Sequence, residues 1–129
     1  MRILLDTHIL IWSLIEPQNM PAKFRQISSD RSNEFIFSAV NIWEVAIKHA
    51  LGRRDFELEP DIVLGAARAA GLDELPVRST AAARVGKLPL HHRDPFDRLL
   101  VAQAVDEQLV LLTDDAVLPS YGENVFLLR

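Results

Sequence analysis

Cysteine is absent from the 129-residue sequence. Its absence excludes thiolate zinc sites, a disulfide framework and a cysteine nucleophile. A chain without disulfides is also typical of the reducing cytoplasm, which is where we expect this protein to act.

Long uninterrupted apolar segments are lacking as well. Asp6 and His8 break the apolar N-terminal run, and no small-residue cleavage site of a signal peptide follows it. No stretch reaches the roughly 18 apolar residues that a membrane helix requires. We therefore expect neither a secretion signal nor a membrane partner.

An excess of positive charge is the third missing feature. The formal net charge is −4, from 14 Lys and Arg residues and 18 Asp and Glu residues. This deficit argues against broad, nonspecific binding to nucleic acid. Four of the acids are candidate site residues, and the charge that remains without them is balanced. A local basic patch can therefore still guide a phosphate backbone.

The apolar content and its spacing predict the fold class. Hydrophobic residues make up 49% of the chain, which is enough for the core of one domain over residues 1–129. The patterns predict six helices, at Thr7–Ile15, Pro21–Ser29, Ala39–Leu51, Pro60–Ala70, Thr80–Val85 and Pro95–Gln108. They predict five strands, at Ile3–Leu5, Glu34–Phe37, Leu75–Val77, Leu109–Leu112 and Val125–Leu128. This alternation predicts a parallel sheet covered by helices on both faces.

Acidic residues follow two of these strands. Asp6 comes directly after the first strand, and Thr113, Asp114 and Asp115 come directly after the fourth. Ligands of parallel sheets bind beyond the carboxyl ends of the strands, so these acids are candidates for chemistry. Asp6 has a simpler alternative as the N-cap of the helix that begins at Thr7. Two adjacent aspartates exceed what a cap requires, and they repel each other unless a cation lies nearby.

Glu44 lies on the third predicted helix, next to its predicted core stripe. That stripe consists of apolar residues at near-helical spacing: Val40, Trp43, Ile47 and Leu51. The alternative for Glu44 is a surface ion pair with Lys48 at i+4, which is worth only a few tenths of a kcal/mol. Periodicity alone favours this alternative.

Asp97 lies in the first turn of the last predicted helix. Asp94 and Pro95 begin this helix as N-cap and first helical residue. An acid at the third helical position favours the helix dipole, which explains Asp97 without any function. A first-turn carboxylate beside a cleft is equally well placed to hold a metal ion.

The four acids form a pattern when they are taken together. Carboxylates from four segments fit an oxygen-rich site for Mg²⁺ or Mn²⁺. Such a site activates water and stabilises charge on a scissile phosphate. Thr113 either orients a water or phosphate through its hydroxyl group or simply finishes the strand.

Four segments together resemble the PIN-domain nucleases, and within them the VapC-type toxins of prokaryotic toxin–antitoxin pairs. The resemblance covers essentially the whole chain, in order and at the usual spacing. The segments are Leu4-Leu5-Asp6-Thr7-His8, Trp43-Glu44-Val45-x-Ile47-Lys48, Asp94-Pro95-Phe96-Asp97-Arg98-Leu99-Leu100-Val101-Ala102-Gln103-Ala104 and Leu111-Leu112-Thr113-x-Asp115.

The resemblance implies a five-stranded, mainly parallel α/β/α sandwich and an endoribonuclease that depends on Mg²⁺ or Mn²⁺. It places the catalytic, metal-binding acids at Asp6, Glu44, Asp97 and Asp115. Asp114 occupies the variable position before the last acid, so we expect it, like Thr113, to support the site without binding metal directly. The resemblance also implies an RNA substrate and a cognate antitoxin protein.

Basic residues near these motifs are candidates for contact with RNA phosphates. They cluster near a helix end or flank Asp97: Lys48, Arg53, Arg54, Arg93 and Arg98. The alternative for each is ordinary solvated charge. For three histidines, His8, His91 and His92, solvent-facing or capping roles are favoured over contact with RNA.

Three other functions are alternatives to the nuclease. An aspartyl-phosphate phosphatase has Asp-x-Asp after strand one, but this chain has Asp6-Thr7-His8. A receiver domain needs adjacent acids early in the chain, which are absent. A catalytically silent scaffold of the same fold remains the nonenzymatic alternative, and the full acidic set counts against it.

The composition also suggests a homodimer. The positive mean hydropathy, +0.09, indicates more apolar surface than so small a monomer can bury. Candidates for the exposed surface lie on the first two helices: Ile11, Trp12, Ile15, Phe24 and Ile27. The alternative is that these residues simply pack on the sheet.

Overall fold

The computed structural model describes residues 1–128. Its strands are β1 (Arg2–Leu5), β2 (Glu34–Ser38), β3 (Asp73–Leu75), β4 (Val110–Thr113) and β5 (Val125–Leu127). Its α-helices are α1 (Thr7–Leu14), α2 (Phe24–Ser29), α3 (Ala39–Ala50), α4 (Pro60–Ala69), α5 (Ser79–Val85) and α6 (Pro95–Asp106). Short 3₁₀ turns follow α1 and β4, at Pro17–Asn19 and Leu118–Tyr121.

All five strands form one parallel sheet in the order β3-β2-β1-β4-β5. The chain builds outward from β1 to β3, then returns across β1 to add β4 and β5. The order of the strands therefore reverses between β1 and β4, where Leu5 pairs with Leu112. A cleft opens beyond the strand ends at such a reversal, because the connecting helices leave in opposite directions.

Helices cover both faces of the sheet. Ile3 and Leu5 point into a core cluster with α1 and α4, whereas Leu4 points into a second cluster with α6. This alternation along β1 follows from the two-residue period of a strand. The three-layer α/β/α sandwich predicted from the sequence is confirmed.

Three element boundaries differ clearly from the predicted ones, two of them for backbone reasons. The third strand lies at Asp73–Leu75 rather than Leu75–Val77, because Pro76 has no N–H to extend the ladder. The last helix ends at Asp106 instead of Gln108, and Gln108 adopts a left-handed conformation with φ of 56°. The second helix begins at Phe24, later than the predicted Pro21.

The residues that we expected to form an exposed apolar surface on the first two helices are not exposed. Ile11 is buried, and Trp12, Ile15, Phe24 and Ile27 pack against the core cluster under α1. The alternative, that these side chains pack on the sheet, is what the structure shows.

The predicted core stripe of α3 is wrong as well. Val40 is buried, but Trp43, Ile47 and Leu51 are 50%, 42% and 74% exposed. The buried face of α3 instead contains Asn41, Glu44 and Val45. Its polar members have partners across the cleft, which a count of apolar spacing does not detect.

Within the described part of the chain, no helix combines the length and the apolar character that crossing a membrane requires.

Candidate active site

Asp6 joins the ends of β1 and β4 through its carboxylate. Its Oδ1 accepts a hydrogen bond from the backbone N–H of Ile9 at 3.0 Å and so caps α1. Its Oδ2 accepts hydrogen bonds from the hydroxyl of Thr113 and from the N–H of Asp114, the latter at 3.3 Å. Burial raises the pKa of Asp6, and these hydrogen bonds oppose the rise only in part. The capping role and the position in the cleft therefore coexist in one residue.

Thr113 both finishes β4 and orients two acids. Besides donating to Asp6, its Oγ1 accepts a hydrogen bond from the N–H of Asp115 at 3.0 Å. Asp115 in turn accepts a hydrogen bond from the N–H of Val117 at 2.9 Å through Oδ1. Thr113 is fully buried and finishes β4, as one alternative held, while its hydroxyl group bonds to the two acids; a role in orienting water or phosphate stays a prediction.

Glu44 reaches the cleft because α3 is locked against the end of β1. The Nδ2 of Asn41 donates to the carbonyl oxygen of Leu5 and to the hydroxyl oxygen of Thr7, both at 3.1 Å. Thr7 then donates to Glu44 Oε1 at 2.5 Å. These bonds satisfy the buried polar face of α3, so the helix can turn Glu44 inward.

Lys48 is also turned inward. Its Nζ donates to Glu44 Oε2 at 2.5 Å and to Asp94 Oδ2 at 3.1 Å, and its side chain is 13% exposed. The ammonium group lies 5.0 and 5.5 Å from the ring centroids of Phe56 and Phe96. Burial lowers the pKa of Lys48, but the two carboxylates outweigh this effect and raise it, so the side chain stays charged. The predicted i+4 pair exists, but in the cleft and not on the surface.

Asp94 and Asp97 occupy the first turn of α6. Asp94 Oδ1 caps the helix, accepting hydrogen bonds from the N–H groups of Phe96 at 2.8 Å and Asp97 at 3.2 Å. Burial works to raise the pKa of Asp94, yet these N–H donors and Lys48 lower it. For Asp97, burial and the neighbouring carboxylates, first that of Asp94 and then that of Glu44, raise the pKa to about 8.

His92 enters the cleft between two acids. Its Nδ1 accepts a hydrogen bond from the N–H of Asp94 at 3.0 Å, so in the neutral ring the proton is on Nε2. Nε2 then donates to Asp115 Oδ2 at 2.8 Å and lies 3.4 Å from Asp97 Oδ2. The sequence favoured a solvent-facing or capping role for His92. The one sequence feature that could have indicated its place in the cleft is its position two residues before the Asp94 cap.

Asp114 has a carboxylate oxygen that lacks a partner. Its Oδ1 is buried and accepts no hydrogen bond from any residue that the structure describes. A buried, unpaired carboxylate oxygen is costly unless a cation or water reaches it.

Together these side chains line an open cleft of about 470 Å³. Seven carboxylates face it, against one lysine and one arginine: Asp6, Glu44, Asp55, Asp94, Asp97, Asp114 and Asp115. Two groups have ligand atoms within 4.8 Å of one another, namely His92, Asp97 and Asp115, and Glu44, Asp94 and Asp97. The donors are mainly hard carboxylate oxygens, which divalent cations of the magnesium type prefer. A cation in the cleft would also stabilise the ionised form of Asp97, whose pKa is raised, and would provide a partner for the unpaired oxygen of Asp114.

The five basic candidates fall into two classes. Arg53, which lines the cleft, Arg54 and Arg93 are exposed. Lys48 and Arg98 are engaged by the protein. The guanidinium of Arg98 donates to the carbonyl oxygens of Val85 and Pro89, both at 2.9 Å, and thereby holds the loop before α6. Of these five candidates, Arg53, Arg54 and Arg93 are therefore the ones with exposed side chains.

A model of the PIN domain family matches the chain over residues 3–124. No curated protein matches it in sequence. Solved structures match it in fold. A chain of the Rickettsia felis VapBC2 complex bound to a promoter DNA fragment is 15% identical, with 98% of this chain and 97% of that chain covered and a TM-score of 0.69.

Two further structures are similar in the same way. DNA-bound VapBC from Salmonella typhimurium gives 18% identity, coverage of 98% and 96%, and a TM-score of 0.66. VapBC-5 of Mycobacterium tuberculosis, a member of the VapBC family of toxin–antitoxin systems, gives 20% identity, coverage of 99% and 98%, and a TM-score of 0.61. At these identities the likeness establishes the fold.

The buried bonds of Thr113 generate the first prediction. Thr113→Val keeps the shape but leaves Asp6 Oδ2 without its hydroxyl donor and the N–H of Asp115 without its acceptor. We expect the free energy of unfolding in urea to fall by about 1–3 kcal/mol, the usual cost of unpaired buried polar groups. Thr113→Ser, which retains the hydroxyl group, is the matched control. Equal stability of the valine and wild-type proteins would contradict this assignment.

Proposed function

The chain belongs to the PIN domain family, and from this premise we propose that it is a divalent-metal-dependent endoribonuclease and the toxin of a toxin–antitoxin pair. One observation carries the nuclease proposal: acids from four separate segments converge on one cleft beyond the ends of β1 and β4. These acids are Asp6, Glu44, Asp97 and Asp115. Nucleases are typical of this family, so the cleft agrees with the family in the chemistry it can perform.

We assign Asp6, Asp97 and Asp115 as the principal ligands of the cation, with Glu44 contributing from the edge of the group. Glu44 is placed last because Thr7 and Lys48 already engage one oxygen each. Mg²⁺ or Mn²⁺, when bound here, supplies positive charge against a phosphodiester and acidifies water. Thr113 orients Asp6 and Asp115, and His92 orients Asp115 from the other side. Asp114 contributes its unpaired oxygen to the same region.

RNA is the proposed substrate because the cleft is open and exposed arginines flank it. Arg53 lines the cleft itself, and Arg54 lies in an adjoining cavity beside His8 and Trp12. These guanidinium groups are suited to bind RNA phosphates that flank the scissile bond. The phosphatase alternative is disfavoured because such an enzyme needs a second aspartate two residues after Asp6, where this chain has His8. The silent scaffold is disfavoured because a protein without catalysis would not need so costly an acidic cluster.

The antitoxin proposal rests on the solved structures of similar fold and on one physical point. An open acidic cleft attracts a basic side chain, and an arginine or lysine of a partner there would compete with metal and RNA. A free ribonuclease also endangers its own cell, which makes a neutralising partner advantageous. A cytoplasmic location stays a prediction, as does the single-domain organisation of residues 1–129.

The second prediction concerns the acids and the metal. Asp6→Asn and Asp97→Asn should each reduce RNA cleavage by about 100-fold or more, because the amide keeps the shape and loses the charge. Asp94→Asn should lose less, since asparagine also caps α6. The measurement is cleavage of labelled RNA with Mg²⁺ or Mn²⁺, with circular dichroism to check folding.

The exposed first-turn acid of α4 provides a matched control, and Asp61→Asn should leave cleavage unchanged. Undiminished cleavage by the pure protein in excess chelator would contradict the metal-dependent mechanism. Equal losses at Asp94 and Asp97 would instead show that the ligands are misassigned.

The third prediction tests the antitoxin. Expression of the chain alone should arrest growth, and co-expression of the protein encoded next to it should restore growth and yield a complex. Asp97→Asn expressed alone should be harmless. A neighbour that neither binds nor inhibits the nuclease would argue decisively against this part of the proposal.

We also propose a homodimer, now through the exposed face of α3. An exposed apolar stripe on α3 is formed by three residues at intervals of four: Trp43, Ile47 and Leu51. The Trp43 ring packs edge-on against Phe96, with 4.7 Å between the ring centroids. The stripe carries no charge of its own, so a second copy of it is a compatible partner.

The fourth prediction follows from this stripe. Ile47→Glu should convert a dimer into a monomer in analytical ultracentrifugation, because it places a charge in the apolar contact. Ile62→Glu, at an isoleucine of α4 with similar exposure, is the control and should leave the dimer intact. If Ile47→Glu abolished antitoxin binding without changing the mass of the free protein, the stripe would be an antitoxin site and the dimer assignment wrong.

A further inference from the structure

The cleft offers two overlapping groups of metal-ligating side chains that share Asp97. One contains His92 and Asp115, the other Glu44 and Asp94. Ligand atoms within each group lie within 4.8 Å of one another. If each group held a cation, the two ions would share Asp97, and the site would be of the two-metal kind found in many nucleases.

The second group already contains a positive charge. Lys48 Nζ lies 2.5 Å from Glu44 Oε2 and 3.1 Å from Asp94 Oδ2, so it bridges two of the three carboxylates. Mg²⁺ needs oxygen ligands at about 2.0–2.1 Å. An ion within that distance of Glu44 and Asp94 would lie against the ammonium group and be repelled by it. In the first group, by contrast, the ion pairs among the described residues join Asp97 and Asp115 to His92, and none of them involves a lysine or arginine.

The ammonium group is held in place by more than its ion pairs. The ring centroids of Phe56 and Phe96 lie 5.0 and 5.5 Å from Nζ, and the Lys48 side chain is only 13% exposed. Rotation of the side chain to solvent would leave Glu44, which is 3% exposed, without a partner for Oε2. Breaking such a buried pair is strongly unfavourable, so Lys48 is a resident cation.

We infer that Lys48 takes the place of a second metal ion, so that the cleft binds one divalent cation per chain, on the side of Asp97 and Asp115 and away from Glu44 and Asp94. This inference rests on the proposed metal-dependent function. It assigns Lys48 a positioning role: its charge sets the number of ions and orients Glu44 and Asp94, and it is not a free contact for RNA.

Isothermal titration calorimetry with Mn²⁺ on the full-length chain tests the number of ions. Wild-type protein and Lys48→Arg, which retains the charge, should bind one ion per chain. Lys48→Met removes the charge but keeps an aliphatic side chain near the two phenylalanine rings, and it should bind two ions. Lys87→Met, at an exposed lysine outside the cleft, is the matched control and should bind one.

Two readouts besides calorimetry separate occupancy from a structural effect. Electron paramagnetic resonance should show isolated Mn²⁺ in wild-type protein and a spin-coupled pair in Lys48→Met. Saturating Mn²⁺ should also raise the unfolding temperature of Lys48→Met more than that of wild type. The reason is that the second ion reduces the repulsion between the carboxylates of Glu44 and Asp94, which the variant leaves unpaired. If Lys48→Met does not fold, Lys48→Gln, whose amide still donates to one carboxylate, serves the same test.

The outcomes distinguish this inference from the proposed function. Two ions per wild-type chain, or one ion in the charge-removing variants, would overturn the role of Lys48 while leaving a metal-dependent nuclease intact. No Mn²⁺ binding by wild-type protein would overturn both. One ion in wild type and a coupled pair in Lys48→Met would support the inference, whatever RNA is cleaved.

Discussion

Mutual repulsion among carboxylates in a half-buried cleft is the constraint around which the rest of this molecule is arranged. Two unit charges 4 Å apart interact by about 4 kcal/mol at an effective dielectric constant of 20, and seven carboxylates line this cleft. The chain offsets the repulsion with donors from several elements. Thr113 donates to Asp6, Lys48 to Glu44 and Asp94, and His92 to Asp115. The remaining imbalance falls on Asp97 and Asp114, where a cation would be most effective.

The parallel sheet makes this concentration of charge possible. Its strand order reverses between β1 and β4, so residues that follow both strands meet at one edge. The N-termini of α1 and α6 open toward the same edge, capped by Asp6 and Asp94. Backbone N–H groups and the positive ends of helix dipoles stabilise carboxylates there. One topology thus supplies the acids and part of the positive charge that they need.

The orientation of α3 links the site to the proposed assembly. Asn41 and Glu44 are buried because the end of β1 and the start of α1 supply their hydrogen-bond partners. Ile47 and Leu51 follow Glu44 by three and seven residues, so with Trp43 they border this buried face, and all three side chains are exposed. The turn of α3 that brings Glu44 into the cleft therefore also sets the position of the apolar stripe through which we propose the dimer.

The sequence by itself determined the alternation of strands and helices, the parallel class of the sheet and the positions of the acids, because these depend on local periodicity and on residues that directly follow strands. It also showed Asp94 as the cap of α6, since capping is a contact within one turn. Only the tertiary structure decided which face of α3 is buried, that His92 lies between Asp97 and Asp115, and that Lys48 and Arg98 bind protein acceptors. Each of these depends on partners many residues distant along the chain: Thr7 for Glu44, Asp94 for Lys48 and Tyr121 for Arg98. Periodicity records whether a side chain is apolar, but burial of a polar group is decided by whether a distant segment brings it a hydrogen-bond partner.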